Sequence, residues 1–230
     1  MEKLIKLRYL KLSCISLKYL PETICNLCNL HSLDVRKCLK LEKLPQEMGK
    51  LINLRHLLLH DDCQIKSFPK GIGRLTCLRM LTNFPVAIGG EGDEICKLGE
   101  LENLSHIQGS LIIHGLKNVM VELIAAKYMQ LKKMIHLRVL CLNFDTIDEK
   151  MERRRMHNDV LVLDGLEPPP HLESLRIELY MGTRLSPNWM TSLTTLKKLT
   201  LSACLKLEWL PPLGKLLLLE SLVIASTKNV

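Results

Sequence analysis

The sequence predicts an α/β solenoid: a curved stack of short parallel strands with short helical or irregular segments on its outer side. Two observations predict it. One is an apolar motif that recurs at a nearly constant spacing. The other is a composition in which 47% of the 230 residues are hydrophobic but only 4% are aromatic. A stack of similar thin layers suits that composition better than a globule built around a few large anchors.

The recurring motif has three apolar positions, spaced three and then two residues apart. Its copies begin at Leu7, Leu30, Leu54 and Leu78, then at Leu137, and finally at Leu172, Leu196 and Leu219; the copy at Leu78 has only the first two apolar positions, Leu78 and Leu81. Within the first and last groups the step is 23 or 24 residues. The last two positions alternate as on a strand, and a strand this short buries its apolar face only by stacking on the next copy. This period predicts a leucine-rich-repeat solenoid with a parallel β-sheet on its concave face.

The second half of each repeat indicates a tight return path on the convex side. Proline follows an apolar residue at the same phase of four repeats, at Pro21, Pro45, Pro69 and Pro211. Proline fixes φ and has no N–H for a ladder, so it turns the chain instead of continuing a strand. Apolar residues recur every three positions in the second repeat, which favours a 3₁₀-like or irregular segment. Cys38 and Cys204 share one repeat position, where we expect a small side chain packed inside.

These patterns predict one leucine-rich-repeat domain over residues 1–230. Regular repeats occupy residues 1–83 and 163–230, and irregular repeats with loop insertions occupy residues 84–162. No polar capping unit is visible at either end, which favours a fragment or a truncated gene product.

The irregular segment divides into four parts. Residues 84–99 are rich in glycine and acidic residues and predict a loop. Residues 108–113 predict a further strand, and residues 121–136 carry apolar residues at helical spacing, which predicts a convex-side helix. Residues 145–158 are highly charged and predict a mobile insertion, within which Arg153-Arg154-Arg155 is interpreted as loop charge. Later in the chain, Trp189 is interpreted as convex-side packing.

Four stretches carry motifs more specific than the general repeat. They are Leu44-Pro45 with Met48-Gly49 and Asn53-Leu54-Arg55-His56-Leu57; Leu98-Gly99-Glu100-Leu101 with Gly109-Ser110-Leu111; Tyr180 with Gly182-Thr183-Arg184, Pro187 and Trp189; and Leu201, Cys204 and Leu210-Pro211-Pro212-Leu213-Gly214. Together they resemble the leucine-rich-repeat region of plant nucleotide-binding leucine-rich-repeat disease resistance proteins, in particular the subclass with an N-terminal coiled coil. The resemblance implies a module of an intracellular immune receptor that works by binding.

The resemblance also implies the partners. In this family the first repeats contact the receptor's own nucleotide-binding region and hold it inactive. The later repeats contribute to recognition of a pathogen effector or a guarded host protein. A full-length member binds ADP or ATP in an upstream domain. The present sequence has no GxxxxGK[ST] phosphate-binding loop, so we expect no nucleotide-binding domain and no cofactor in this segment.

The outward positions of the strands are the expected protein contacts on the concave face. They are Arg8, Tyr9, Lys11, His31, Asp34, Arg55, His56, Arg79, Arg138, Arg176, Lys197 and Lys198. In the early repeats arginine and lysine outnumber a single aspartate, which predicts a basic stripe that docks an acidic protein surface. The alternative is a solvated face whose charges only keep the solenoid soluble.

No constellation of residues points to catalysis, metal binding or nucleic-acid binding. No nucleophile–base pair is recognisable, and Cys25-x-x-Cys28 is half of a zinc site without a second half. The net charge of +8 would suit nucleic acid, but aromatic stacking residues do not interleave with the basic ones. We therefore expect a protein-binding module that is not an enzyme and binds neither metal nor nucleic acid.

The expected location is the cytoplasm, with the nucleus as the alternative. Nine scattered cysteines form no compact disulfide framework, and the first residues lack the apolar core of a signal peptide. No apolar run is long enough to span a bilayer. Two other functions stay open: a generic leucine-rich-repeat adaptor, such as the substrate-recruiting module of a ubiquitin ligase, and a truncated stand-alone remnant.

Overall fold

The computed structural model describes residues 4–60, 64–87, 96, 98–119, 131–145 and 152–225. Its strands are β1 (Tyr9–Lys11), β2 (Ser32–Asp34), β3 (His56–Leu58), β4 (Met80–Leu81), β5 (Asn83–Pro85), β6 (Gln108–His114), β7 (His136–Asn143), β8 (Ser174–Glu178), β9 (Lys198–Ser202) and β10 (Ser221–Ala225). Paired strands run parallel, in one sheet of β1–β4 and a second of β5–β10, each in chain order. This stack confirms the predicted leucine-rich-repeat solenoid.

The strand register aligns the middle leucines of successive motifs. In the first sheet the aligned residues are Leu10, Leu33, Leu57 and Leu81. In the second sheet they are Leu111, Leu140, Leu175, Leu199 and Leu222. The leucines inside each row are completely buried, whereas Leu222 in the last strand is 40% exposed. Each repeat therefore buries the apolar face of its neighbour, which is the main stabilising contribution in a solenoid.

Short 3₁₀ helices form the return path of the repeats. They are Glu22–Asn26, Met48–Lys50, Ile72–Arg74, Leu98–Asn103, Leu116–Asn118, Leu131–Lys133, Asn188–Ser192 and Leu213–Lys215. Pro21 and Pro187 stand directly before two of them, in extended conformation with φ of −68° and −64°. Proline there starts the turn without the loss of a helical hydrogen bond, as the proline phase predicted for Pro21.

Cys38 and Cys204 occupy the repeat position predicted for them. Both are buried, and their Sγ atoms donate to carbonyl oxygens of the preceding repeat: Leu12 at 3.6 Å for Cys38 and Ile177 at 3.7 Å for Cys204. A thiol is a weak donor that also packs as a small apolar group. The position therefore links neighbouring repeats while it fills the core.

The first irregular segment contains strands β5 and β6. Residues 84–85 lie in β5, so the loop prediction is wrong for them, and residues 88–95 lie outside the described part. Strand β6 confirms the strand predicted over residues 108–113. Its register against β7 shifts between Gly109 and Ser110, and Gly109 has a φ of 77°, which glycine adopts without strain.

The helix predicted over residues 121–136 falls largely outside the described residues, which resume at Leu131. Residues Leu131–Lys133 form a 3₁₀ helix, and β7 begins at His136. The α-helix prediction is therefore wrong for this end of the segment, where the chain already turns into the next strand.

An α-helix, α1 (Glu152–Gly165), stands where a mobile insertion was predicted. Residues 146–151 lie outside the described part, but for residues 152–158 the prediction is wrong. The C-terminal half of α1 places Val162 and Leu163 in the core, and Leu166 follows directly. Because the first half of α1 is charged, the apolar periodicity of the sequence does not indicate that the helix is anchored in the core.

Arg155 and Asp159 tie α1 to the loops that follow β7 and β8. Nη2 of Arg155 donates to the carbonyls of Phe144 at 3.0 Å and Leu179 at 3.2 Å. Asp159 is completely buried, accepts a hydrogen bond from the Met181 N–H at 3.0 Å, and lies 3.6 Å from Nε of Arg155. The interpretation of Arg155 as loop charge is wrong, because its guanidinium caps carbonyls inside the fold.

Candidate protein-binding face

The residues just before β1–β4 form one continuous column on the open face of the sheet, which points away from the core. The N–H of His31 donates to the carbonyl of Arg8, that of Arg55 to His31, and that of Arg79 to Arg55, each at 2.8 Å. We call Arg8, His31, Arg55 and Arg79 the arginine column. The three arginines are exposed and His31 is partly buried. Parallel pairing thus brings together four of the predicted contact residues.

A second row lies beside the arginine column. Tyr9, Ser32, His56 and Met80 are aligned across β1–β4. Tyr9 is 55% exposed and Met80 is 41% exposed, whereas Ser32 is buried and His56 is partly buried. Lys11, at the end of β1, is exposed. The arginine column is therefore flanked by a large exposed apolar side chain at each end, Tyr9 at one and Met80 at the other.

The charges of the arginine column act on His31. The pKa of His31 is lowered from its ordinary value, first by loss of water around the ring and then by the positive charges of Arg55, Arg8 and His56. Like charges nearby disfavour protonation of an imidazole. The neighbouring positive charges thus add to the loss of water in lowering the pKa of His31.

Asp34, one of the predicted contacts, is not available to a partner. Its side chain is 2% exposed and is held by Arg36, whose Nε donates to Oδ1 at 3.0 Å and whose Nη2 donates to Oδ2 at 2.8 Å. These hydrogen bonds are the first cause of the lowered pKa of Asp34. The prediction of Asp34 as a surface contact is corrected. Arg36, which the prediction missed, covers the carboxylate from the turn that follows β2, and its position two residues after Asp34 was the available signal.

The second sheet has a column at the same repeat position, but with alternating charge. The N–H of Glu173 donates to the carbonyl of Arg138, that of Lys197 to Glu173, and that of Glu220 to Lys197. We call these four residues the alternating column. Nε of Arg138 lies 3.8 Å from Oε1 of Glu173, and Nζ of Lys197 lies 4.0 Å from Oε2 of the same carboxylate. Its cations are thus largely neutralised by neighbouring strands.

Arg176 and Lys198, the remaining predicted contacts of the second sheet, differ in their surroundings. Nη1 of Arg176 lies 3.4 Å from Oε1 of Glu178, and Nδ2 of Asn143 donates to the other oxygen of Glu178 at 2.9 Å. Lys198 is exposed on β9. Beside Arg176, Cys141 is buried, and burial followed by the charge of Glu178 raises its pKa to about 12. The thiol therefore stays protonated and is not a nucleophile.

The family-specific motif around Tyr180 builds the fold and not a binding surface. The Tyr180 hydroxyl donates to the carbonyl of Arg184 at 2.9 Å. A Cβ added at Gly182 would lie 2.2 Å from the Tyr180 oxygen, so only glycine fits under this ring. Trp189 is 5% exposed, which confirms its interpretation as packing.

Within the described residues, no group of three or more histidine, cysteine, aspartate or glutamate side chains is arranged to hold a metal ion. Cys25 is buried, and burial raises its pKa to about 11, whereas Cys28 is exposed. The two thiols of the CxxC pair thus stand in different environments. Among the same residues, no helix combines the length and the apolar character that crossing a membrane requires.

Comparison with known proteins gives the family. The model of R13L1/DRL21 leucine-rich repeats matches residues 98–227, which include α1, β6–β10 and the alternating column. The chain belongs to the R13L1/DRL21 leucine-rich-repeat family. This match covers both of the most specific motifs, at Gly109-Ser110-Leu111 and at Gly182-Thr183-Arg184.

Relatives of this R13L1/DRL21 chain are provisionally named disease resistance proteins. One from Arabidopsis thaliana is 45% identical over 225 residues, which are 95% of this chain and 15% of the relative. The RGA1 protein of Solanum bulbocastanum is 39% identical over 55% of this chain and 12% of its own length. An RPP13-like protein of Arabidopsis thaliana is 34% identical over 59% of this chain and 13% of its own. The predicted resemblance to the leucine-rich-repeat region of plant disease resistance proteins is confirmed.

The chain spans about 15% or less of the length of these relatives. Among solved structures, a leucine-rich-repeat protein of Leptospira interrogans aligns over 93% of this chain and 71% of its own, at 18% identity and a TM-score of 0.37. A similarity at that level supports no conclusion about function.

Proposed function

We propose that this chain is a single protein-binding domain of a plant intracellular immune receptor, and that the open face of β1–β4 binds an acidic surface of a protein partner. One observation carries the proposal. Among the described residues, the arginine column has no carboxylate on its own face except Asp34, which Arg36 already holds. The alternating column, at the same repeat position, has its own carboxylates.

Electrostatics favours a partner-binding role for the arginine column, whose charges are unpaired among the described residues, over the alternating column, whose charges are paired. Exposed like charges on neighbouring strands repel one another and destabilise the fold by a small amount. A partner that brings carboxylates removes this repulsion and gains charge-assisted hydrogen bonds. Complementary charge also speeds association and excludes partners of the wrong sign. A solvated face that only keeps the protein soluble would not need one sign to be confined to four adjacent strands.

The family suggests which proteins bring the acidic surface. For the first repeats we propose the nucleotide-binding domain of the same or another receptor, held inactive by this contact. For the later repeats we propose a pathogen effector or a guarded host protein. ADP or ATP would be bound by that nucleotide-binding domain and not by this segment. The chain would act by binding, without catalysis, in the cytoplasm and, as the alternative, the nucleus.

A charge-reversal experiment in the receptor that carries this segment tests the proposal. Arg55→Glu combined with Arg79→Glu places two carboxylates in the arginine column, and Lys197→Glu combined with Lys198→Glu is the matched control on β9. Autoinhibition through the arginine column predicts a defence response without pathogen from the first receptor and no such response from the control. If the first variant instead fails to respond to pathogen, the column recognises the effector.

Normal behaviour of both receptors would contradict the proposed face. The two alternatives give different results. A ubiquitin-ligase adaptor would recruit a substrate whose degradation depends on the chain. A stand-alone remnant would bind neither a nucleotide-binding domain nor an effector.

A further inference from the structure

We propose that the element bound by the arginine column is an acidic α-helix that lies across strands β1–β4. The inference rests on the proposed function and specifies the shape of the partner at the same site. It comes from the spacing of the cations, from the side chains beside them, and from the chemistry of arginine.

The spacing of the column fits a helix better than an extended segment. Neighbouring parallel strands are about 4.8 Å apart, so the four residues of the column span about 14 Å. Four acidic residues on one face of an α-helix, one per turn, span about 16 Å. Four alternate residues of an extended segment span about 20 Å. The mismatch is about 2 Å for the helix and about 6 Å for the extended segment, so the helix needs the smaller adjustment of the arginine side chains.

The row beside the column supplies contacts for the flank of such a helix. Tyr9 and Met80 stand at opposite ends of this row and are 55% and 41% exposed. Between them Ser32 is buried, so the side chains in the middle of the row project less from the sheet than those at its ends. An amphipathic helix whose acidic stripe meets the arginine column would place apolar residues over Tyr9 and Met80. A helix shorter than about three turns would reach only one of them.

Arginine suits this occupant chemically. A guanidinium presents a planar fork that can bond both oxygens of one carboxylate. Arg8, Arg55 and Arg79 are exposed, and no carboxylate in the described part of the chain lies within ion-pair distance of them. One arginine stands just before each of three strands, so three turns of an acidic helix each meet their own guanidinium, and the turn between the first two meets the His31 imidazole.

Three labelled peptides of equal length and equal net charge test the inference against the whole chain. The first is a helix former with glutamate at i, i+4, i+7 and i+11, which places the four carboxylates on one face. The second is an equally helical peptide with the same four glutamates spread around all faces. The third carries them at alternate positions with prolines that prevent a helix. Fluorescence anisotropy gives the Kd of each peptide for the chain, for Arg55→Glu and for Lys198→Glu.

The helical inference predicts that the first peptide binds about tenfold tighter than either of the others. Its binding should be lost in Arg55→Glu and retained in Lys198→Glu. Arg55→Gln, which removes the charge without reversing it, should weaken binding less, and circular dichroism of all three variants verifies that they are folded. If the three peptides bind equally and all lose affinity in Arg55→Glu, the helical inference is overturned while the acidic-surface proposal stands. If no peptide binds, or Arg55→Glu binds as the wild type does, both fail.

Discussion

The indole Nε1 of Trp189 donates a hydrogen bond to the carbonyl of Leu163 at 2.9 Å. Trp189 lies in the 3₁₀ helix Asn188–Ser192, and Leu163 lies in α1. The bond therefore joins the convex side of the repeat that follows β8 to a helix from the preceding repeat. Because both residues are buried, the contact is shielded from water. Helix α1 is thus a fixed part of the solenoid, and substitutions at this joint should affect stability.

Substitution of Trp189 tests this joint. Trp189→Phe keeps most of the packing but leaves the Leu163 carbonyl without its donor, so we expect the free energy of unfolding to fall by about 1–2 kcal/mol. Trp189→Ala also opens a cavity and should cost about 3–5 kcal/mol. Trp209 is 67% exposed, which makes Trp209→Phe the matched control with an effect near zero. Urea denaturation gives all three values, and equal effects of the two phenylalanine variants would contradict the assignment.

The close approach of Tyr180 to Gly182 predicts a sharp difference between two glycines. Gly182→Ala would place a methyl carbon 2.2 Å from the Tyr180 oxygen, and the ring is buried and cannot move freely. We expect a loss of about 1–3 kcal/mol from overpacking. At Gly214, nothing lies within 4 Å of an added Cβ, so Gly214→Ala should be neutral or slightly stabilising. Thermal unfolding of both variants tests this difference. An unchanged melting temperature of Gly182→Ala would mean that the Tyr180 ring shifts to make room for the methyl group.

The buried carboxyl of Asp159 predicts a pH dependence of stability. Burial is the main cause that raises the pKa of Asp159 from 3.8 to about 6, while the Met181 N–H and Arg155 oppose the rise. The folded state therefore binds the proton more readily than the unfolded state. The corresponding stability is fully present below pH 3.8 and is lost as pH rises through about 6. Between about pH 7.5 and 5.5 the contribution should grow by about 1 kcal/mol.

Asp159→Asn isolates that contribution, because an amide keeps an acceptor for the Met181 N–H but does not titrate. Urea unfolding of the two proteins at both pH values gives the difference between their pH slopes. We expect the wild type to gain stability relative to the variant on acidification. Identical slopes, or a relative loss, would show that Asp159 keeps an ordinary pKa in the fold.

Cys77 occupies a repeat position where asparagine links neighbouring repeats. Nδ2 of Asn29 donates to the carbonyl of Ile5 at 2.7 Å, and Nδ2 of Asn53 donates to that of Cys28 at 2.9 Å. Cys77→Asn should add the corresponding bond to the carbonyl of Ile52 and stabilise the fold by about 0.5–1.5 kcal/mol. Cys77→Ala is the control that cannot make the bond. A gain in both variants, or in neither, would argue against a hydrogen-bond ladder.

The repeat spacing was sufficient to predict the strands and the columns on their open face. The residue after the first leucine of each motif recurs once per repeat, so the repeat spacing predicts that Arg8, Arg55 and Arg79 lie in one column. Complete burial of that leucine inside the stack, at Leu30, Leu54 and Leu78, leaves no alternative register there. The same spacing could not predict that Asp34 is withdrawn by Arg36, because the pair depends on side-chain rotamers.

Helix α1 was missed for a physical reason. Its first half is charged, and charged residues at helical spacing normally indicate solvent exposure. Here Asp159 is completely buried and Arg155 caps carbonyls of two loops, so polar groups perform the anchoring that apolar residues usually perform. A buried polar network is stable only when the surrounding fold supplies its partners. Those partners come from the loops that follow β7 and β8, more than ten residues away in the sequence, which no local pattern could reveal.

The most direct measurement is a calorimetric titration of the chain with the nucleotide-binding domain of the receptor that carries this segment, at low and at high ionic strength. Binding through the arginine column predicts an affinity that falls as salt rises, because exposed charge pairs are screened. Arg55→Glu with Arg79→Glu should abolish binding, and Lys197→Glu with Lys198→Glu should leave it unchanged. Binding that ignores both salt and the first pair of substitutions, or that is lost with the second pair, would contradict the assignment of the open face of β1–β4.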